Sequence, residues 1–166
     1  RILLIGASGT IGKRVAAELS KKHEVVSGGR SNADVEVDIT SAVSIEDMFH
    51  AAGDLDAVIC AAGPAKFVPL AEMTEEDIYI GIHGKMMGQV NLVRIGQKYL
   101  KDNGSFTLTT GILADDPIAG SAAVSLVNGA VNSFTVAAAR ELPRGQRINV
   151  VCPTVVADSA EAYADF

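Results

Sequence analysis

Three glycines, Gly6, Gly9 and Gly12, follow the apolar run Ile2-Leu3-Leu4-Ile5 and precede a helix-type spacing at Val15, Ala16 and Leu19. Glycines at such a turn let the backbone approach a pyrophosphate, and the free N–H groups of the first helical turn hold the anion. Ser8 and Thr10 add hydroxyl donors at the same place. Both flanks that this motif requires are present, so the chemistry implied is dinucleotide binding. About twenty residues further on, a second strand over His23 to Ser27 ends in Gly28-Gly29-Arg30-Ser31-Asn32, where the adenosine ribose of such a ligand lies. An acidic residue there would accept the ribose 2′-hydroxyl and repel a 2′-phosphate. Arg30 with Ser31 instead suits the phosphate, which favours NADP over NAD. The nearby Asp34 keeps NAD as the alternative.

Asp38 closes a third strand in Val37-Asp38-Ile39-Thr40, and it reads equally as a contact to an adenine ring or as a turn and helix-cap carboxylate. The fourth strand, Ala57-Val58-Ile59-Cys60, runs into Ala61, Ala62 and Gly63, small residues that admit a close backbone approach to a cofactor. The two cysteines, Cys60 and Cys152, end strands separated by one other in a doubly wound sheet. That places them roughly 10 Å apart, beyond disulfide reach, and both read as buried thiols.

Strand-like runs at about 1–5, 24–28, 34–38, 55–61, 104–109 and 147–152 alternate with helix-like segments near 10–22, 41–52, 74–101 and 121–142. Alternation of this kind calls for an α/β fold with a parallel sheet and helices on both faces. In the third helical segment Ile78, Ile82, Lys85, Gln89 and Leu92 share one stripe, and in the fourth Val124, Asn128 and Val131 do. An inward lysine or asparagine needs a partner, while a lysine on an apolar stripe can also reach solvent. Gly81, Gly84 and Gly88 each cost a helix roughly 1 kcal/mol and predict the close approach of another backbone or of the cofactor.

The 166 residues are 48% hydrophobic and 20% charged, enough for one domain with a core. A net charge of −6 with no basic run longer than Lys21-Lys22 argues against nucleic acid as a partner. No apolar stretch reaches the ~20 residues of a membrane span, and no signal-peptide pattern precedes the first strand, so no membrane is expected and the cytoplasm is the expected location. No metal site is expected.

The chain resembles the short-chain dehydrogenase/reductase family over nearly its whole length. The likeness rests on Gly6-Ala7-Ser8-Gly9-Thr10-Ile11-Gly12, on Gly29-Arg30 and on Asp38. It rests further on Cys60-Ala61-Ala62-Gly63, where the family often has Asn-Asn-Ala-Gly, and on Arg147-Ile148-Asn149-Val150-Val151-Cys152-Pro153. The glycine spacing is that of the extended and atypical branches. The resemblance implies a Rossmann-type doubly wound sheet in the order 3-2-1-4-5-6 and one NAD(P)-binding domain over 1–166. It also implies cofactor contacts from Pro153 and, near the nicotinamide carboxamide, from Val156. The family's seventh strand would come after Phe166, so the chain reads as a piece of a longer product.

The family's usual chemistry uses a serine after the fifth strand and a Tyr-x-x-x-Lys on the next helix. Here Thr110 stands at the serine place, Val124 at the tyrosine and Asn128 at the lysine. Lys85 falls where most members carry an asparagine, an exchange similar to that in polyketide synthase ketoreductase domains. The resemblance therefore implies an NADP-dependent oxidoreductase acting on a small carbonyl, alcohol or enone. Thr110 would orient the substrate oxygen, and Lys85 with Asn128 would hold the nicotinamide ribose. The competing expectation, from the missing tyrosine, is a catalytically silent NADP-binding sensor or scaffold. His83 and Tyr79, one turn apart, are the other candidates for acid–base work. By the same likeness the helices near 74–101 and 121–142 are expected to build a homodimer or homotetramer.

Overall fold

The computed structural model describes residues 1–159. The seventh strand expected beyond Phe166 lies outside them. Six parallel strands form one sheet in the order β3-β2-β1-β4-β5-β6. They are β1 (Ile2–Ile5), β2 (Val25–Gly29), β3 (Val35–Glu36), β4 (Leu55–Cys60), β5 (Leu100–Thr109) and β6 (Arg147–Val151). The helices α1 (Thr10–Leu19), α2 (Ala42–Ala52), α3 (Glu75–Gly81), α4 (Gly88–Gly96) and α5 (Ala122–Ala138) lie in the connections between the parallel strands, except from β2 to β3, which the loop 30–34 joins. All four residues of β1 are buried, as a central strand covered on both faces requires.

β1 pairs with β2 on one side (Ile2 with Val25, Ile5 with Gly28) and with β4 on the other (Ile2 with Ala57, Ile5 with Cys60). The chain thus reverses its direction of travel across the sheet between β1 and β4, and crevices for ligands open beyond the carboxyl ends of strands at such a point. The core around the sheet joins Leu3, Ile5, Phe49, Leu55, Phe106 and Ile148, with Leu92 and Val131 contributed by α4 and α5.

Four boundaries differ from the sequence expectation, each for a local reason. β3 shrinks from 34–38 to two residues because Asp34 at one end is bound to Ser27 of β2 and Asp38 at the other closes a turn on Thr40. Asp34 Oδ2 accepts from Ser27 N and Oγ (2.8 and 2.7 Å), and Asp38 Oδ1 accepts from Thr40 N and Oγ1 (2.9 and 2.8 Å). β5 starts at Leu100 instead of 104, since Leu100 pairs with Leu55 before the ladder shifts register. α5 stops at Ala138, where the bonding tightens and Pro143, which has no N–H, comes soon after. The helix expected over 74–101 is α3, a π-helical turn (Ile82–Met87) and α4 in succession, ending at Gly96. A side chain at Gly96 would lie 2.5 Å from the Phe49 ring, so the helix ends against the core.

α3 begins with a capping box: Thr74 Oγ1 accepts from Asp77 N (3.2 Å) and Asp77 Oδ2 accepts from Thr74 N (3.0 Å). Lys66, in the loop after β4, pairs with the same carboxylate and ties that loop to the helix. The Lys66 ammonium, then the Thr74 N–H and hydroxyl, hold the Asp77 carboxyl down to about 2. The folded value lies below the unfolded one, so this stabilisation is complete above about pH 4 and lost as pH falls toward 2. Asp77→Asn is accordingly expected to melt below the wild type at neutral pH, the gap closing over that acid range. A gap that persists undiminished to pH ~2 would remove the carboxylate's charge as its source.

Candidate functional site

The turn after β1 is shaped by backbone crowding. Gly6 has φ +83°, a conformation that side chains rarely adopt, and a Cβ there would meet Ala61 O at 2.7 Å. The ends of β1 and β4 are therefore in contact at the switch point. A Cβ on Gly12 would fall 1.9 Å from Gly6 O, so α1 also starts directly on the turn. Gly9 is the N-cap of α1 and supplies no side-chain cap. Ser8, Gly9 and Thr10 are exposed, which leaves the N–H groups and the positive end of α1 free for an anion.

Arg30 and Ser31 are exposed beyond the end of β2. Asp34, the acidic residue that would suit a ribose diol, is bound back to Ser27, whose N–H and hydroxyl hold its carboxyl below the usual range. Asp38 is likewise lowered, chiefly by Thr40 and to a smaller extent by the charge of Arg30. Its contacts are those of the turn carboxylate that was one of its two readings.

A cleft of about 560 Å³ extends from α1 across the carboxyl ends of the strands. It brings together Thr10, Ala61, Gly63, Lys85, Thr110, Asn128, Pro153 and Val156, drawn from segments up to 146 positions apart. Gly6, Ser8, Gly9 and Gly12 belong to the adjoining turn, Ala62 packs on Gly6, and Arg30, Ser31 and Asp38 stand outside the cleft wall. The cleft is otherwise lined by apolar side chains, Ala65, Phe67, Ile112, Leu113, Ile118 and Val124, and by Asp116.

Lys85 is set into this cleft by the π-helical turn. Its stem fills the space at Gly63, where a Cβ would come within 2.8 Å of it, and Gly84 abuts Pro64 in the same manner. Gly81 meets Val127 and Gly88 meets Ile39. The helix glycines therefore serve contacts within the protein. Lys85 Nζ has one long contact, 3.5 Å to Thr110 O. Burial lowers its affinity for a proton, opposed by the thiols of Cys60 and Cys152. Cys60, fully enclosed, is itself pushed up to about 11. Cys152 is only half-buried, and both cysteines are free thiols.

Thr110, 5% exposed, donates from Oγ1 to Asn132 Oδ1 (2.8 Å) and lies 2.9 Å from Cys152 Sγ. A substrate oxygen would have to compete with Asn132 for that proton. Asn128, 1% exposed on α5, carries a buried Oδ1 without a hydrogen-bond partner. Such an acceptor is costly unless a ligand supplies a donor. His83 is exposed and stacks on Tyr79 (centroids 5.4 Å apart), outside the cleft wall.

A model of the enoyl-(acyl carrier protein) reductase family matches residues 6–166. The chain belongs to the short-chain dehydrogenase/reductase family. It is 49% identical to the protein lin1944 from Listeria innocua, with a TM-score of 0.97 over 99% of this chain and 82% of that one. It is 26% identical to a small-chain dehydrogenase solved in complex with NADPH, with a TM-score of 0.86 over 98% of this chain and 77% of that one. Hydroxynaphthalene reductase arp2 of Aspergillus fumigatus is 26% identical over 178 residues, covering 93% of this chain and 65% of the relative. The chain thus spans about two thirds of that reductase's length.

For a short-chain dehydrogenase/reductase, the site has three features that the sequence reading did not foresee. Asn132 engages the Thr110 hydroxyl, Gln89 braces the backbone of Thr109, and the segment 111–118 forms an apolar wall. The run Gly111-Ile112-Leu113 was the available signal for the wall, as apolar residues in a loop are otherwise out of place. Among the described residues no helix is long and apolar enough to cross a membrane, and no cluster of three or more acidic, His or Cys groups could hold a metal.

Proposed function

We propose that this short-chain dehydrogenase/reductase is an NADP-dependent oxidoreductase acting on a small, largely apolar carbonyl, alcohol or enone. The observation that carries the reading is the buried, unpaired Asn128 Oδ1 in a cleft that opens beside the uncapped start of α1. Both are polar groups of the protein left for a ligand, one an acceptor and the other a set of donors. The N–H groups behind Gly9 would hold the pyrophosphate, with hydroxyls from Ser8 and Thr10. Lys85 and Asn128 would hold the nicotinamide ribose, and the apolar wall would receive the substrate. A bound nicotinamide supplies hydride chemistry there.

The preference for NADP is supported by the exposed Arg30 and by the engagement of Asp34 with Ser27. Similarity to a dehydrogenase in complex with NADPH and to a hydroxynaphthalene reductase supports the same reading. Arg30→Asp is expected to weaken NADPH about tenfold and to strengthen NADH in a fluorescence titration. Unchanged affinity for both nucleotides would sink the assignment. Exposed Tyr79 and Ile80 on α3, with Leu126 and Val136 on α5, support a homodimer or homotetramer through these helices.

The test is NADPH fluorescence on mixing with the full-length gene product, followed by a pool of aldehydes, ketones and enones. Nucleotide binding with protein-dependent loss of the NADPH signal is the expected result. Binding without decay favours the second reading, a nucleotide sensor, which Val124 in the cleft and the committed Thr110 hydroxyl support. No binding overturns both.

A further inference from the structure

Reduction of a carbonyl leaves charge on its oxygen, and a positioned acid that meets it speeds the step ~10²–10⁴-fold. Resting on the function proposed above, we propose that Lys85 is that acid, with its Nζ–H delivered directly to the substrate oxygen. The cleft offers few other protons. Thr110 has committed its hydroxyl to Asn132, Asp116 is exposed, and the Val124 side chain has no polar atom. Thr10 and Thr154 present only alcohols, which are far weaker acids than an ammonium. His83 faces away, against Tyr79.

Lys85 is equipped for the role by what surrounds it. Its Cα, Cβ and Cγ pack on Gly63, which fixes the root of the side chain at the cleft, and among the described residues no carboxylate bears on its charge. Its one contact, Thr110 O at 3.5 Å, is long and leaves N–H bonds uncommitted. The titratable groups facing it are Cys60 at the end of β4 and Cys152 beyond β6, with Asp116 elsewhere in the cleft lining. α5 presents the neutral Asn128 and α1 the neutral Thr10. Burial drives the amine toward its neutral form, which brings its acidity closer to the working range of an acid catalyst.

The step balances as a two-electron reduction. The carbonyl carbon gains a hydride from the reduced nicotinamide, and the π pair moves to oxygen. The Nζ–H bond breaks as the O–H bond forms, leaving a neutral amine that recovers its proton from water.

The experiment uses lysine labelled at 13Cε in the full chain, with the Lys85 resonance identified by its loss in Lys85→Met or, if that variant does not fold, in Lys85→Arg. Its titration is tracked without nucleotide and with NADP+, and compared with the pH profile of kcat for carbonyl reduction. The expected result is that kcat falls as pH rises through the titration of Lys85 in the nucleotide complex. Lys85→Arg keeps charge and donors but releases no proton near neutrality, so at saturating NADPH it is expected to lose ~10²–10⁴ in kcat. A kcat profile that ignores the Lys85 titration, or Lys85→Arg turnover within about tenfold of the wild type, overturns the acid role alone. Wild-type protein that neither binds NADPH nor consumes it overturns the functional reading and this role with it.

Discussion

Gly12→Ala is expected to lower Tm by about 6–12 °C and to abolish NADPH binding, an effect of about 3 kcal/mol for a chain of this size. The added Cβ would sit 1.9 Å from Gly6 O, 2.7 Å from Gly6 C and 2.9 Å from Ala7 Cα, all backbone atoms that no rotamer change can move. The turn has no room to retreat, because the far side of Gly6 is occupied by Ala61 O and Ala62 Cβ. Relief requires tilting α1 away from the turn, which takes the anion-binding N–H groups with it. Gly129→Ala is the matched control. Nothing lies within 4 Å of a Cβ at Gly129, so there the helix propensity of alanine should raise stability by up to about 1 kcal/mol. Thermal melts and NADPH titration of both variants decide the matter; a Gly12→Ala protein that melts and binds like the wild type would show that the turn is not held as described.

Gln89→Leu should be at least as damaging, by about 4 kcal/mol, although leucine is close to glutamine in size. β4 pairs with β5 only as far as Ile59 with Thr107, while β6 follows β5 to Thr109 with Val151. Beyond β4, the fully buried Gln89 takes over as a surrogate strand: Nε2 donates to Thr109 O and Oε1 accepts from Thr109 N, both at 2.9 Å. Leucine would bury both backbone groups without partners, at about 1–3 kcal/mol each. In a urea titration the midpoint should fall with the slope unchanged. An unmoved midpoint would mean that water or a backbone shift replaces the amide. Thr110 is the next residue, so the variant should also disturb the carbonyl that Lys85 faces.

The strand order and the glycine turn were legible in the sequence because both depend on local patterns. Apolar runs end in small residues at 5–6 and 60–63, and parallel strands leave few ways to connect them. The inward stripe through Lys85, Gln89 and Leu92 could be read from spacing as well. What Lys85 faces could not, because its surroundings come from Gly63, Thr110, Cys60 and Cys152, brought together only by the sheet. Asp34 and Asp38 illustrate the same limit. Their types suit a ribose or an adenine, and spacing alone carries no sign that Ser27 of β2 engages Asp34 Oδ2 or that a turn brings Thr40 onto Asp38 Oδ1. The 111–118 wall was missed because no periodic pattern marks a loop.

The π-helical turn between α3 and α4 acts as a phase shifter. Bonding to the fifth residue back admits one residue more per turn than an α-helix does, and each residue of an α-helix turns the next side chain by about 100°. The half before the seam addresses α5 through Gly81 and Val127, while the half after it addresses β5 through Gln89, and the cleft lysine sits within the seam. A chain one residue shorter there would gain a regular helix and lose the simultaneous aim of its two halves. Length is therefore under tighter constraint across Ile82–Met87 than side-chain identity, and insertions or deletions are the changes this stretch can least absorb.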